Sequence, residues 1–174
     1  ASPSRAVVVG SVNGTLDGET AVGGWDILIV LYSYNGTKEW TRVIGSTGDD
    51  VALAVAVDGT RGHLFVVGRA QGSINISDSG SYSGSYSGMD DVFVAKYNSS
   101  GSQLWLMMFG STQSEQANSV AFSPFYSSII VVGDTNGTMN GLSPSVSVSA
   151  FIAKITETNG VATMSNLVYS SWAQ

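Results

Sequence analysis

Apolar and polar positions along this chain come in short alternating runs that read as strands and turns. Val92 to Tyr97 is β-branched and aromatic, Asn98-Ser99-Ser100-Gly101 is a tight turn, and Leu104 to Phe109 is apolar again. The same order occurs 65 residues upstream, where Asp26 to Trp40 matches Asp91 to Trp105, with Gly36 on Gly101 and Trp40 on Trp105. Ala150-Phe151-Ile152-Ala153-Lys154 answers Val92-Phe93-Val94-Ala95-Lys96 at a spacing of 58. Three further runs close on glycine: Val7-Val8-Val9-Gly10, Leu64 to Gly68 and Ile130 to Gly133. Val51 to Val57, in which alanine alternates with larger apolar residues, and Asn118 to Ser123 supply another matched pair of strands. No long window carries apolar residues at helical spacing, so the expected fold is all-β.

The register divides the chain. From Trp40 to Gly68 and from Trp105 to Gly133 the spacing is 28 both times, with no insertion. One repeat-built domain is expected over residues 1–174: a partial unit at 1–46, a full unit at 47–111 and a divergent unit at 112–174. Gly68 to Phe93 spans 25 residues where its counterparts span 18, and the excess falls in the low-complexity stretch 79–88, SGSYSGSYSG. Such a Gly/Ser segment reads as an exposed spacer.

At 174 residues the chain is long enough for a real core. Charged residues make up only 11%, and 13 acids against 7 bases argue against nucleic acid, whose phosphates require a basic face. No run approaches the length of a membrane span. There is no cysteine, hence no disulfide framework and no thiolate chemistry. Five sequons, at Asn13, Asn35, Asn75, Asn98 and Asn136, recur at turns of the repeat and point to N-glycosylation, with Ala1 read as a mature end left by signal removal. An extracellular or cell-surface location with covalent glycans is the expectation.

GMDDVFVAKYNSSGSQLW, followed by FGSTQSEQANSVAF and IIVVGDT, resembles the SBBP-type β-propeller repeat. The likeness runs from about Gly24 to Lys154 and fades beyond it, where no tryptophan answers Trp105. The resemblance implies a four-stranded antiparallel blade per repeat in extracellular proteins, without implying a catalytic site. Eleven blade strands are expected, the first unit lacking its first strand. Two and a half blades are too few to close a propeller, which needs about four to eight. Bare apolar edges of this kind pair with something.

Candidate chemistry is sparse. His63 is the single histidine, with no nucleophile motif beside it, and no zinc spacing, phosphate loop or catalytic triad is legible, so no catalytic or metal residues are assigned. Asp49-Asp50 and Asp90-Asp91 are paired carboxylates on loops, the one place where Ca2+ enters consideration, but no D-x-D-x-D-G loop accompanies them. Asp26 and Asp91 are expected to accept turn hydrogen bonds, and Trp40 and Trp105 to pack between blades. Trp25, Tyr82, Tyr86 and Trp172 lie outside the shared pattern and are the candidates for sugar or partner contact. The function expected is a structural glycoprotein that joins copies of itself head to tail into a filament by strand sharing. The alternative is a surface adhesin or glycan-binding module.

Overall fold

A computed structural model describes residues 5–74, 80–139 and 148–170, with Tyr169 and Ser170 described by their backbone alone. The described residues are all-β, in blade-like sheets that are antiparallel but for one short edge strand and that form no closed barrel. β1 (Arg5–Val12), β4 (Asp26–Ser33) and β5 (Lys38–Ile44) make the first sheet. β6 (Asp50–Asp58), β7 (His63–Ala70), β9 (Asp91–Tyr97) and β10 (Gln103–Phe109) make the second, in that order. β11 (Glu115–Ser123), β12 (Ser128–Thr135), β13 (Ser149–Thr158) and β14 (Val161–Ser170) make the third. β14 is a full strand of ten residues, paired along β13 with one bulge at Lys154/Ile155, where the fading likeness after Lys154 leads one to expect a weak one.

Each sheet is buried on the faces its period-2 pattern marks. Ile27, Ile29, Leu31 and Ile44 of the first sheet pack on Leu64, Val66, Phe93, Ala95 and Met108 of the second. The opposite face of the second sheet, with Phe65, Val67, Val94 and Trp105, packs on Val131, Phe151 and Ala153 of the third. Residues one apart in β9 therefore serve two different cores, which explains why that strand is apolar on both faces and buried throughout.

Residues 80–88 differ from the expected spacer, while residue 79 of that stretch lies outside the described residues. β8 (Ser81–Gly84) runs parallel to β10 on its outer edge, from Trp105↔Ser81 to Met108↔Gly84. In the first sheet the same connection forms a two-stranded ribbon, β2 (Thr15–Leu16) with β3 (Glu19–Thr20), tied to β5 through Asp17, which accepts from Thr41 Oγ1 at 2.6 Å and pairs with Lys38. Both connections thus lie against the outermost strand of their sheet. Serine and glycine suit that position, because β8 offers backbone groups to an open edge and needs little side-chain packing.

Candidate functional site: the repeat junctions and the open first sheet

β6 and β11 each carry a bulge at matching places, between Ala52/Ala54 and Ala117/Ser119. The bulge turns a carbonyl toward the neighbouring strand, directly over its glycine. A Cβ on Gly68 would stand 1.9 Å from the Val51 carbonyl oxygen, and one on Gly133 2.0 Å from that of Gln116. Glycine is required there by the close approach of backbone. Gly10 holds the same position in the first sheet, where among the described residues no strand takes the place of β6 or β11, and a Cβ on it would meet nothing within 4 Å. Its φ is not positive either, so neither conformation nor contact within the chain demands glycine at that position. β1 pairs with β4 in unbroken register from Arg5↔Ser33 to Val12↔Asp26, leaving its other edge straight and eight residues long.

The loops between sheets are held by buried carboxylates. Asp50 Oδ2 accepts from Ser46 N at 2.5 Å, and Glu115 Oε2 accepts from Ser111 N at 2.6 Å. Asp26 and Asp91 accept from Val22 N and Ser87 N at 2.5 and 2.7 Å, the turn bonds expected of them. Gly45 and Gly110 leave room for these carboxylates, since a Cβ on either would come within 2.4 Å of Asp26 or Asp91. Burial raises the Asp91 carboxyl above its usual range, with the charge of Glu115 adding to the effect. Burial likewise raises Asp50, with a contribution from Asp26. The half-buried carboxylates one residue earlier do not converge on a cation position: Asp49 accepts from Trp25 N, and Asp90 from Arg69 and Gln71. Among the described residues no group of three or more His, Cys, Asp or Glu side chains is placed to hold a metal.

Trp40 and Trp105 do the same job at successive junctions. Trp40 Nε1 donates to the Ser99 carbonyl at 3.1 Å, in the hairpin turn of the second sheet. Trp105 Nε1 donates to Glu157 Oε2 at 2.8 Å, at the matching turn of the third. Lys96 Nζ joins that carboxylate at 2.5 Å. Burial works to raise Glu157, but the bonds from Lys96 and Trp105 outweigh it and hold the carboxyl below its usual range. His63 lines a cleft of about 250 Å3 with Asp58, Phe65, Lys96 and Glu157. Burial and then the Lys96 charge lower its pKa below the usual histidine value, and Ser127 is the one serine or threonine among the cleft's lining residues.

Of the candidate contact residues, Trp25 is half exposed and its backbone bonds the loop at Asp49 and Asp50. Tyr82 lies on β8, opposite Leu106. Tyr86 packs on the first core and donates to the Met89 carbonyl at 3.2 Å. Each is tied to a different element, and Trp172 lies outside the described residues. Among the sequon asparagines, Asn13, Asn35 and Asn136 are exposed on turns. Asn98 is half-buried, and its Oδ1 accepts from Ser100 N, Ser100 Oγ and Ser102 N. Asn75 lies outside the described residues.

These sheets and junctions define β-propeller-like repeats. No family model matches the chain. It is 33% identical over 118 residues to an uncharacterized WD repeat-containing protein of Acanthamoeba polyphaga mimivirus, a match that takes in 62% of this chain and 8% of that protein. No helix among the described residues is long and apolar enough to cross a membrane. Sequence reasoning located the glycines but not their reason: the bulge that makes Gly68 and Gly133 obligatory, and so makes Gly10 conspicuous, appears only in the register.

Proposed function

We propose that this chain is an extracellular or cell-surface structural glycoprotein, a non-catalytic scaffold of SBBP-type repeats whose copies join head to tail by β-strand sharing. Gly10 carries the reading. Glycine is the one residue compatible with a bulged strand passing over it, and it stands at a place where the described residues supply no such strand. A strand from a second copy, pairing with the straight edge of β1, gives Gly10 the neighbour that Gly68 and Gly133 already have. It also satisfies the row of backbone groups that a long regular edge otherwise exposes. At roughly 25 cal/mol per Å2 of apolar area, a strand seated there contributes several kcal/mol before ordering costs. Glycans on Asn13, Asn35, Asn75, Asn98 and Asn136 would coat the turns and restrict lateral clumping while leaving the strand edge free.

Sedimentation velocity and negative-stain microscopy over a hundredfold concentration range test the assembly, and peptide mapping of native material tests the coat. Concentration-dependent filaments with sugar on most of the sequons are the expected result. A monodisperse monomer at the highest concentration rules out the assembly, and unmodified asparagines remove the argument for secretion.

A further inference from the structure

The first and third sheets each turn one face away from the second. On the third sheet that face centres on Ile152 and Val168, opposed across β13 and β14 and exposed by 52% and 51%. Register places Ile152 where Val94 and Ile29 stand in the other two sheets, and both of those are fully buried against the sheet that follows. On the first sheet the outer face exposes Val8, at 51%, beside its partner Val30, which is already buried. The counterparts of Val8 are Val66 and Val131, both fully buried against the sheet that precedes. Each outer face is therefore one half of a junction that the chain builds twice within itself, and the two halves are the complementary ones.

We infer that these two faces dock on each other between copies: the third-sheet face of one chain covers the first-sheet face of a second, with the geometry of the internal junctions. The inference rests on the assembly reading above and names its second contact. The occupant is a second copy because the surface that fits each face is known from the internal junctions, and the first and third sheets carry its two complementary forms. The hairpin turns agree. Tyr34, 76% exposed, holds the first-sheet position of Ser99 and Glu157, which receive the Trp40 and Trp105 indoles. In the docked pair Tyr34 meets Lys154 and Asn166, the counterparts of Lys96 and Trp105. A contact between unlike faces is heterologous, so it repeats without limit unless the rotation closes a ring.

Three preparations of the 174-residue chain test this: the unaltered chain, I152K/V168K with the third-sheet face blocked, and Val8→Lys with the first-sheet face blocked. All three positions are half exposed, so the far-UV spectrum and thermal midpoint should match the unaltered chain. Should either variant miss that standard, Ile152→Ser or Val8→Ser replaces it. The unaltered chain should polymerise, while each variant alone should need at least about tenfold more protein to do so. Mixed one to one, the variants should form a discrete dimer and stop, because only one pair of intact faces remains. If the unaltered chain polymerises and the variants do so equally well, face docking is overturned and strand sharing stands alone. If the variants are monomeric but their mixture gives no dimer, these two faces are not each other's partners. If the unaltered chain never assembles, both readings fall together.

Discussion

Gly68 and Gly133 lie under the carbonyls of Val51 and Gln116, whereas Gly10, at the same point of the first sheet, has open space above it. The same contrast separates Val66 and Val131 from Val8, and Trp105 from Asn166. In the glycine and valine sets the residue type suits a filled junction at every member, and in one member the junction is open; in the third set an exposed asparagine stands where the tryptophan is buried. Repeat architectures make this informative: a position whose chemistry is explained in two copies by a neighbour implies the neighbour in the third. An isolated apolar residue on a surface carries no such implication, because exposed apolar side chains are common on any protein.

Substitution at filled and open members of each pair sharpens the contrast, and the largest effect belongs to the tryptophan. Trp105→Ala should cost about 3–5 kcal/mol by leaving a cavity in the second core and releasing Glu157, whereas Asn166→Ala at the open counterpart should stay within about 0.5 kcal/mol. Chemical denaturation of the chain at a concentration where it is monomeric reads both. Comparable losses at the two sites would contradict the equivalence.

Next come the glycines. Gly68→Ala and Gly133→Ala should each destabilise by about 1–3 kcal/mol, since the obstructing atoms are backbone and cannot swing aside. Gly10→Ala should leave the monomer unchanged or gain up to about 1 kcal/mol, because alanine loses less freedom on folding. Thermal midpoints of the monomer decide it. Destabilisation at Gly10 would mean that something in the same chain already covers it.

A smaller effect separates Asp91 from Ser149, its uncharged counterpart in the third sheet. The folded chain holds a proton on Asp91 more readily than the unfolded chain does. Its contribution is therefore full below the ordinary carboxylate range and is lost as pH rises from there through the raised value. Glu157 and Asp58 act the opposite way, their contributions falling as pH drops through their lowered values. The difference between the unaltered chain and Asp91→Asn across pH 3 to 7 isolates the first effect: the variant should become relatively more stable as pH rises. A difference curve flat over that range would show that burial does not raise this carboxyl. Smallest of all is the contrast among glycan sites. Occupancy at half-buried Asn98 should fall below that at Asn13, Asn35 and Asn136 in peptide maps, and equal occupancy would contradict the reading that accessibility sets it.

The sequence register made the blades legible because hairpins, tryptophans and strand-end glycines recur at fixed spacing, and short-range periodicity sets which face of each strand is buried. Trp40 and Trp105 could be recognised as junction residues on that ground alone. The edge strand β8 could not, since Ser81–Gly84 has no apolar alternation and its pairing is decided by where β10 leaves an open edge. The pairing of β14 was hidden similarly: Val161–Ser170 departs from the repeat in sequence but meets the same backbone template in β13. The ion pair of Lys96 with Glu157 joins residues 61 apart in two sheets, a distance over which no local pattern reports.

The direct test of the account is a valine at position 10. Its side chain projects into empty space in the single chain, yet it would strike the carbonyl of any bulged strand seated on β1. Sedimentation velocity of Gly10→Val beside the unaltered chain, at a concentration where the latter polymerises, should show a monomer with an unchanged thermal midpoint. Polymers of Gly10→Val matching those of the unaltered chain in size and threshold would contradict strand sharing at this edge.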